Sequence, residues 1–515
     1  VDISTSGVAD NSTLMTFQNV IINTDNSSFD IDNGTSGLRK LYGDINLPNN
    51  CVFNLNHPNG TGYGTLSSRV NGTLTTGTNA NGFISGDFME IGGAFTLGNT
   101  SELEFNDQVQ FENTVTLGTS SGNHIIFLDD ADFVGAVQLN GDAEVTLSNT
   151  TSFGSTVDLA TNAIISFKHG STPTITSSGV WTMGTSSVAI LGFGVDGTWT
   201  FLNDLNLLGG NTLGIQLNSS TVTMNDINVT GTGLTSIGIY CPAVLGGNVS
   251  FVDGANVRFI NYNNPTVTCN GNWTLGNNST INLGFGTNGN WTFSSGTVSL
   301  VGTSELEANS NTGVVSFFNL DQAAGSILKI GTGSTTIITG TYSATGTNCT
   351  LDTQLSSITD GVQANLSLSG SIVTTGLGVK DINISTGTLT ANGGINISNN
   401  NLTNLSFNAN NTDLYWVGGM SANDNTGLFK TGVNDNWSNP DNWSPISGVY
   451  AGTNGCIPDI NSVVVVDAGS FDGGSTILHL DVDGLAESVT FASNDDNITV
   501  TNVGSTTLTV GGDVV

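Results

Sequence analysis

A short motif, in which two apolar residues flank one polar residue, recurs through the middle of the chain at spacings of 18 to 27 residues. Each copy follows a stretch rich in turn-forming residues, and its alternation of period two predicts a short β-strand. Two or three such strands with their turns fill about twenty residues, which predicts a parallel β-solenoid with one coil per repeat. The eleven copies are Phe95/Leu97, Val115/Leu117, Val137/Leu139, Val157/Leu159, Trp181/Met183, Trp199/Phe201, Val222/Met224, Val249/Phe251, Trp273/Leu275, Trp291/Phe293 and Val315/Phe317.

Two pairs of tryptophans give a sharper expectation. The tripeptide Asn-Trp-Thr occurs twice, which places Trp273 and Trp291 eighteen residues apart, and Trp181 and Trp199 have the same spacing. We interpret eighteen residues as one short coil, so the two members of each pair are predicted to stack at the same corner of successive coils. These tryptophans keep the phase of the apolar positions, which predicts a structural role in the core.

The fold class that follows is all-β, a right-handed parallel β-solenoid (β-helix) with a Trp-rich β module at the C-terminal end. Residues 1–90 are predicted to form N-terminal coils, and residues 91–412 the main solenoid. The sequence texture changes at Asp413, where three of the seven tryptophans follow within a short stretch. Residues 413–515 are therefore predicted to be a Trp-rich capping module that leads into further β coils.

The composition suits this geometry and excludes several classes of function. The chain has 68 Gly but only 8 Pro, and Gly, Asn, Ser and Thr favour tight turns. Its formal net charge is −33, and the 8 basic residues are scattered, so we expect no binding to nucleic acid or to anionic membrane surfaces. No apolar run approaches the length of a membrane span, so membrane insertion is not expected.

The five cysteines do not form a recognisable metal or disulfide framework. They are Cys51, Cys241, Cys269, Cys349 and Cys456, with no CxxC pair. Cys241 lies 19 residues after Val222 and Cys269 lies 20 after Val249, so we expect equivalent positions in neighbouring coils. That placement is compatible with a disulfide, and two stacked buried free thiols are the alternative.

The region after 413 resembles a known protein module. The segments "YWVGG" and "NWSNPDNWS", with a Pro-Asp before "VVVVD", resemble a module of very large cell-surface proteins of Bacteroidetes-type bacteria, including gliding-motility adhesins. The insert between the first two segments is longer than in that pattern, and Val465–Val466 replaces the usual Phe. The matching residues are Trp416, Gly418, Gly419, Trp437, Trp443, Pro458 and Asp467.

This resemblance implies export, typically by type IX secretion, and display as surface filaments for adhesion or gliding. The tryptophans Trp416, Trp437 and Trp443 agree with a cap, since bulky aromatic side chains cover an otherwise exposed sheet end. The chain shows no evident signal peptide and ends in a strand-like sequence, so we expect a piece of a longer secreted chain.

Catalytic chemistry has few candidates. A glycosidase needs two carboxylates that face each other, and the candidates are the cluster Asp129, Asp130 and Asp132 and the pair Glu102 and Glu104. The cluster is typical of an acidic turn, and the pair flanks an apolar residue in an alternating strand, so both side chains are expected to point to solvent. For calcium, "NDNWSNPDNW" and "DVDG" offer oxygen ligands, but neither is a complete calcium loop, so turn formation is the simpler interpretation.

The sequence thus predicts a non-enzymatic structural or adhesive protein: a segment of an extracellular filament or giant cell-surface adhesin that forms a stiff rod. Expected partners are a surface polysaccharide or another cell-surface ligand, and other copies or segments of the same filament. No cofactor is expected beyond the calcium just considered. Two alternatives stay open: a β-helix enzyme or phage-type spike acting on polysaccharide, and a fibre subunit that polymerises end to end.

Overall fold

The computed structural model of the chain describes 26 ranges of residues. Before residue 73 it describes the backbone of the β-strands and not their side chains. The described residues are 2–4, 15–21, 28–32, 39–47, 52–56, 67–70, 73–76, 80–84, 88–117, 122–194, 196–217, 220–286, 288–309, 312–346, 353–397, 404–408, 413–417, 436–439, 442–444, 447, 457–458, 462–467, 470, 477–492, 499–502 and 504–515. They divide into two compact units, residues 1–296 with 310–314, and residues 297–309 with 315–515.

The first unit is a parallel β-solenoid whose coils contribute strands to three ladders. Ladder 1 comprises Asp2–Ser4, Ser28–Asp32, Val52–Asn56, Asn81–Ile84, Glu102–Phe105, Asn123–Phe127, Ala143–Leu147, Ile164–His169, Val188–Gly194, Thr212–Ile215, Leu234–Ile239, Asn256–Asn261 and Thr280–Gly286. Ladder 2 comprises Ser67–Val70, Phe88–Ile91, Gln108–Phe111, Ala131–Phe133, Thr151–Phe153, Thr174–Ser177, Thr198–Phe201, Val222–Met224, Ala243–Leu245, Thr266–Cys269 and Asn290–Phe293. Ladder 3 comprises Leu74–Thr76, Phe95–Leu97, Val115–Leu117, Val137–Leu139, Val157–Leu159, Trp181–Met183, Leu205–Leu207, Ile227–Val229, Val249–Phe251 and Trp273–Leu275.

Two further strands lie near the N-terminus of this unit. Met15–Ile21 pairs in parallel with Arg39–Leu47, with one register shift. Arg39–Leu47 then pairs with both Ser67–Val70 and Leu74–Thr76, so one long strand serves two ladders of the next coil. The described strands before residue 90 thus pair in parallel with the ladders, while the boundary at residue 90 stays a prediction.

The alternation of apolar and polar residues places one row of each strand inside the coil. On ladder 3, Phe95 pairs with Val115, Val115 with Val137, and Val137 with Val157, so these coils contain 20, 22 and 20 residues. Each of these residues is at most 4% exposed, and so is the second apolar residue of each motif, whereas the polar residue between them faces outward. The predicted solenoid, with like side chains over like, is therefore confirmed.

The second unit begins with coils of the same kind. Its first set of parallel strands comprises Glu305–Ala308, Ile327–Ile330, Thr353–Ser357, Leu377–Lys380 and Ile395–Asn396. Its second set comprises Val314–Phe317, of which Val315–Phe317 belong to this unit, Thr335–Ile338, Ala364–Leu368 and Ile382–Thr386. Its third set comprises Thr297–Leu300, Asn319–Gln322, Thr341–Thr345, Ser371–Thr375, Leu389–Asn392 and Leu405–Asn408.

Separate sheets follow from Leu414 onward. A four-stranded sheet has the order Trp443–Ser444, Leu414–Trp416, Val463–Val466 and Ser488–Phe491, and its first two strands are antiparallel. Two parallel pairs complete the region: Ile477–Leu480 with Thr499–Asn502, and Gly484–Ala486 with Leu508–Val510. No helix in the described part of the chain has the length and apolar character needed to cross a membrane.

Candidate functional site

The aromatic core of the first unit shows that the predicted stacking of the tryptophan pairs is wrong. Trp181 lies on ladder 3 and pairs with Leu205, whereas Trp199 lies on ladder 2. Eighteen residues is the path from ladder 3 of one coil to ladder 2 of the next. The rings of each pair still meet edge to face inside the core, at 5.9 Å and 82° for Trp181 with Trp199 and at 6.1 Å and 87° for Trp273 with Trp291.

The two tryptophan pairs belong to a longer internal repeat. Residues 157–201 and 249–293 are identical at 19 of 45 positions, an offset of 92 residues. The ladder 3 register from Trp181 to Trp273 passes through four coils, of 24, 22, 22 and 24 residues, which sum to the same 92. The recurrence of the tripeptide therefore marks two copies of a four-coil repeat, each with one tryptophan on each of two ladders.

The two copies share their backbone irregularity. The ladder 1 register shifts after Phe167 in the first copy and after Phe259 in the second. The bulged strands use Gly192 and Gly284, whose φ angles of +78° and +80° lie in the left-handed region that glycine adopts without strain. A Cβ at position 192 would lie 2.2 Å from Cδ2 of Leu217, so a larger residue would also have to displace this side chain.

The indole N–H groups of the ladder 2 tryptophans find equivalent acceptors in both copies. Trp199 Nε1 donates to Nε2 of His169 at 3.0 Å, and Trp291 Nε1 donates to Oδ1 of Asn261 at 3.3 Å. Because His169 accepts at Nε2, its ring carries no proton on that nitrogen. A buried donor left without an acceptor costs about 1–3 kcal/mol, so these two contacts allow large rings to occupy the core.

The indole N–H groups of the ladder 3 tryptophans differ between the copies. Trp181 Nε1 donates to Oγ of Ser177 at 2.7 Å. In the second copy Cys269 stands in place of the serine, and Trp273 Nε1 has no hydrogen-bond partner among the described residues. The second copy therefore contains a buried unsatisfied donor at a position where the first copy is satisfied.

Stacked phenylalanines continue the aromatic core on ladder 2. The rings of Phe111 and Phe133 are 5.1 Å apart and 4° from parallel, and those of Phe133 and Phe153 are 4.9 Å apart and 7° from parallel. This spacing matches the distance of about 4.8 Å between neighbouring strands. Aromatic rings are thus in contact from coil to coil between Phe95 and Phe201, and again between Phe251 and Phe293.

The carboxylates weighed as catalytic candidates bond to the next coil. Oδ1 of Asp130 accepts the backbone N–H of Thr150 at 3.0 Å, twenty residues on, and Asp129 accepts a hydrogen bond from the side chain of Asn149 at 2.7 Å. Asp132 accepts a hydrogen bond from the hydroxyl of Ser152. Asp129 and Asp130 therefore lie at a turn, in agreement with the acidic-turn interpretation, whereas Asp132 lies on the strand Ala131–Phe133. All three satisfy donors of the coil that follows.

The same device recurs along the unit and was not recognised from the sequence. Asp142, Asp226, Asn248 and Asp253 each accept a backbone N–H from the next coil, at 3.2, 2.6, 3.0 and 2.8 Å. Because parallel coils must satisfy the N–H groups at every corner, a short side chain with an oxygen acceptor is useful there. Asp and Asn residues that recur at corner positions one coil apart are the sequence pattern that indicates these contacts.

Glu102 and Glu104 lie on the outward row of ladder 1, as predicted. Glu102 pairs with His124, and His124 pairs with Glu144. Glu144 accepts from Lys168 at 2.5 Å and lies 3.2 Å from Nε2 of His124. The partly exposed ion pair of Glu144 with Lys168 offsets charge repulsion along the row and contributes about 0–1 kcal/mol.

The cysteine prediction is wrong in its register. Cys269 pairs with Leu245, whereas Cys241 lies two residues before Ala243, the partner of Val267. The two thiols are therefore not at equivalent positions, and both are buried and free, so the disulfide does not form. Burial raises the pKa of the Cys241 thiol to about 11 and also raises that of Cys269, which keeps both protonated and unreactive at neutral pH. Cys51, Cys349 and Cys456 lie outside the described residues.

The tryptophans of the C-terminal module pack against each other. Trp443 lies 5.0 Å from Trp416 and 4.7 Å from Trp437, both at steep angles, and its Nε1 donates to the backbone oxygen of Trp437 at 2.9 Å. All three are at most 2% exposed and share a core with Val464, Val466 and residues of the strands that follow. They thus form the core of the module, while the capping role stays a prediction. Gly418 and Gly419 lie outside the described residues.

The two segments considered for calcium contact each other directly. Asp481 accepts the backbone N–H of Ser438 at 3.0 Å and also its hydroxyl. Asp483 accepts the backbone N–H of Thr507 at 2.9 Å. Within the described ranges, no three His, Cys, Asp or Glu residues are grouped so that they could hold a metal ion.

Comparisons of this chain with family models, with curated proteins and with solved structures find no match. The interpretation of function therefore depends on the geometry above and on the sequence resemblance.

Proposed function

We propose that this chain is a non-enzymatic structural and adhesive segment of an extracellular filament or giant cell-surface adhesin. The observation that supports it best is the parallel pairing of the first unit, in which the coils from Val52 onward are each bonded to the next through three ladders. Separating two coils requires breaking these hydrogen bonds and the stacked aromatic contacts together. Such a scaffold bears load and spaces other modules, which is what a surface filament needs.

The charge distribution fits an exposed, crowded location. The chain carries 41 acidic and 8 basic residues, while the core rows are apolar. Like charge keeps neighbouring copies in solution and apart. The turn carboxylates contribute to this charge and also bond the coils, so a single residue type serves both purposes.

A force experiment tests the scaffold role. The purified chain is held by its two ends and stretched in single-molecule force spectroscopy. A coil of about 22 residues releases roughly 75 Å of extended chain, so coil-by-coil unravelling gives extension steps of that size or small multiples of it. One cooperative rupture of the whole first unit, or unfolding without measurable force, would contradict a load-bearing solenoid.

A cellular experiment tests location and adhesion. Antibodies against the solenoid are applied to intact source cells, and attachment is compared before and after deletion of the segment. Surface labelling that protease removes, together with weaker attachment of the deletion strain, supports the proposal. Labelling only after cell lysis, or release of soluble sugars from polysaccharide by the purified chain, would favour another function.

A further inference from the structure

The outer face of ladder 2 carries a regular double array of threonines between residues 174 and 292. In the first row Thr176 pairs with Thr200 and Thr200 with Thr223; after Val244, Thr268 pairs with Thr292. The second row lies two residues earlier on each strand. It comprises Thr174, Thr198, Thr221, Pro242, Thr266 and Asn290. We call the nine threonines of these two rows the threonine face.

Two properties of the threonine face bear on what it could bind. Neither row contains a charged residue, although the chain carries a net charge of −33. Within the described part of the chain, none of the nine threonine hydroxyls forms a hydrogen bond to protein. By contrast, Ser152 on the same row of the preceding coil bonds to Asp132. The face thus offers nine hydroxyls without protein partners, on two rows that contain no charged side chain.

Buried core residues on the same strands hold the threonine face in a fixed geometry. The residue between the two rows on each strand points into the core, and these residues are buried: Ile175, Trp199, Val222, Ala243, Val267 and Trp291. Threonine is β-branched, which restricts its χ1 rotation in a strand. The hydroxyls and methyl groups are therefore pre-organised, and binding a matching surface orders little that is not already ordered.

The repeat distances select the partner. Rows repeat about every 4.8 Å from coil to coil, and the two threonines of one strand are roughly 6.7 Å apart. A single hydroxyl adds little binding free energy, because it exchanges a hydrogen bond to water for one to the partner. A partner with a matching two-dimensional lattice gains from many such weak contacts at once. The prism face of ice presents neutral donors and acceptors at two repeats close to these.

Other occupants fit less well. The two rows lie on the outward face of a parallel sheet, whereas small molecules bind in concave sites with convergent polar groups. Neither row contains an aromatic residue that could stack on a sugar ring. A second copy would bring another strongly acidic chain against this one, and the rows contain only Val244 and Pro242 as apolar side chains.

We infer that the threonine face binds ice, through the lattice match of its hydroxyl and methyl groups. This inference is independent of the scaffold role, because the solenoid bears load whether or not this face has a partner. It predicts that the purified chain is taken up into a slowly growing ice hemisphere and separates the freezing point from the melting point of its solution.

The test uses the whole chain and a matched pair of variants. Thr200→Lys with Thr223→Lys places two charges at the centre of the face, and the gap between freezing and melting points is expected to fall by more than half. Thr182→Lys with Thr274→Lys places the same charges on the outward row of ladder 3 and should leave the gap unchanged. Circular dichroism melting confirms that all variants remain folded.

Four outcomes overturn the inference. The unaltered chain is excluded from ice and shows no freezing gap, or both double variants lose activity equally. Alternatively, the chain binds crystalline cellulose or chitin but not ice, and the Thr200/Thr223 variant abolishes that binding, which assigns the face to polysaccharide. Finally, light scattering shows a dimer that the same variant dissociates, which makes the face a contact between copies.

Discussion

Replacing Cys269 by serine should stabilise the protein, although serine in a buried position is ordinarily destabilising. Trp273 is 0% exposed and its Nε1 has no partner among the described residues. Four coils earlier, Ser177 accepts from the equivalent indole at 2.7 Å and donates to the backbone oxygen of Gly179 at 3.4 Å. A serine at 269 finds the same two partners in the repeat, the indole and the backbone oxygen of Gly271.

The magnitude follows from those contacts. Satisfying a buried donor recovers about 1–3 kcal/mol, and the buried hydroxyl costs little when it is itself bonded. We expect Cys269→Ser to raise the free energy of unfolding by about 1 kcal/mol, after allowing for the less apolar side chain. The reciprocal change, Ser177→Cys, should lower it by about 1–3 kcal/mol, because it leaves Trp181 Nε1 without its acceptor.

The assay is urea unfolding followed by tryptophan fluorescence, with hydrogen exchange of residues 266–293 as a local readout, since solenoid coils open semi-independently. Cys241→Ser is the control, because it removes the other buried thiol without an indole to satisfy, and it should be destabilising. If Cys269→Ser destabilises as much as this control, or Ser177→Cys has no effect, the argument from the repeat is refuted.

Three further predictions use the same structure. His169→Asn copies the second repeat and should change stability little, whereas His169→Ala should cost about 1–3 kcal/mol by leaving an indole N–H unpaired, as urea unfolding will show. Gly179→Ala puts a Cβ 1.6 Å from a backbone oxygen of the preceding coil and should clearly lower the melting temperature. Gly246→Ala is the control, because its Cβ meets nothing closer than 3.5 Å and should leave the melting temperature unchanged. Equal effects of the two variants would contradict the packing described here. Burial alone would raise the pKa of Asp481, but hydrogen bonds from Ser438 hold it below the ordinary value, so the carboxylate adds stability that is fully present above pH 3.8 and lost as the pH falls through the folded-state pKa. Asp481→Asn should remove this acid-dependent step from the tryptophan fluorescence of the C-terminal module.

Much of the solenoid could be predicted from the sequence because its cause is local. Strands of three to five residues with alternating burial, turns between them and a period near twenty residues leave few folds other than stacked parallel coils. The sequence predicts one stack for the motifs from Phe95 to Trp181, and these motifs lie on one ladder. The right-handed winding stays a prediction.

The assignment of ladders could not be made from the motif alone. Strands on ladders 2 and 3 have the same pattern, so the motif alone predicts that Trp199 stacks on Trp181 and Trp291 on Trp273. In the structure the two members of each pair lie on different ladders. The identity at an offset of 92 residues would have separated the two ladders, because it keeps each tryptophan in its own register. The pairing of Cys241 with Cys269 failed for the same reason.

The polar contacts between coils are the feature of the structure that is hardest to predict from the sequence. Whether Asp130 faces a catalytic groove or caps the next coil depends on which N–H lies opposite it, and that is fixed only by the register. The threonine face is likewise hard to predict from the sequence, because threonine is common at the exposed positions of this chain.

Paired cysteines at outward positions test the central claim, the register of the coils, most directly. In a background without the native cysteines, Thr182→Cys with Asn206→Cys joins two positions that pair across neighbouring coils on ladder 3. Neighbouring strands lie about 4.8 Å apart, within reach of a disulfide, so mild oxidation should link them rapidly. Thr182→Cys with Thr200→Cys, eighteen residues apart on two different ladders, should remain reduced, and crosslinking of this second pair in place of the first would contradict the register described here.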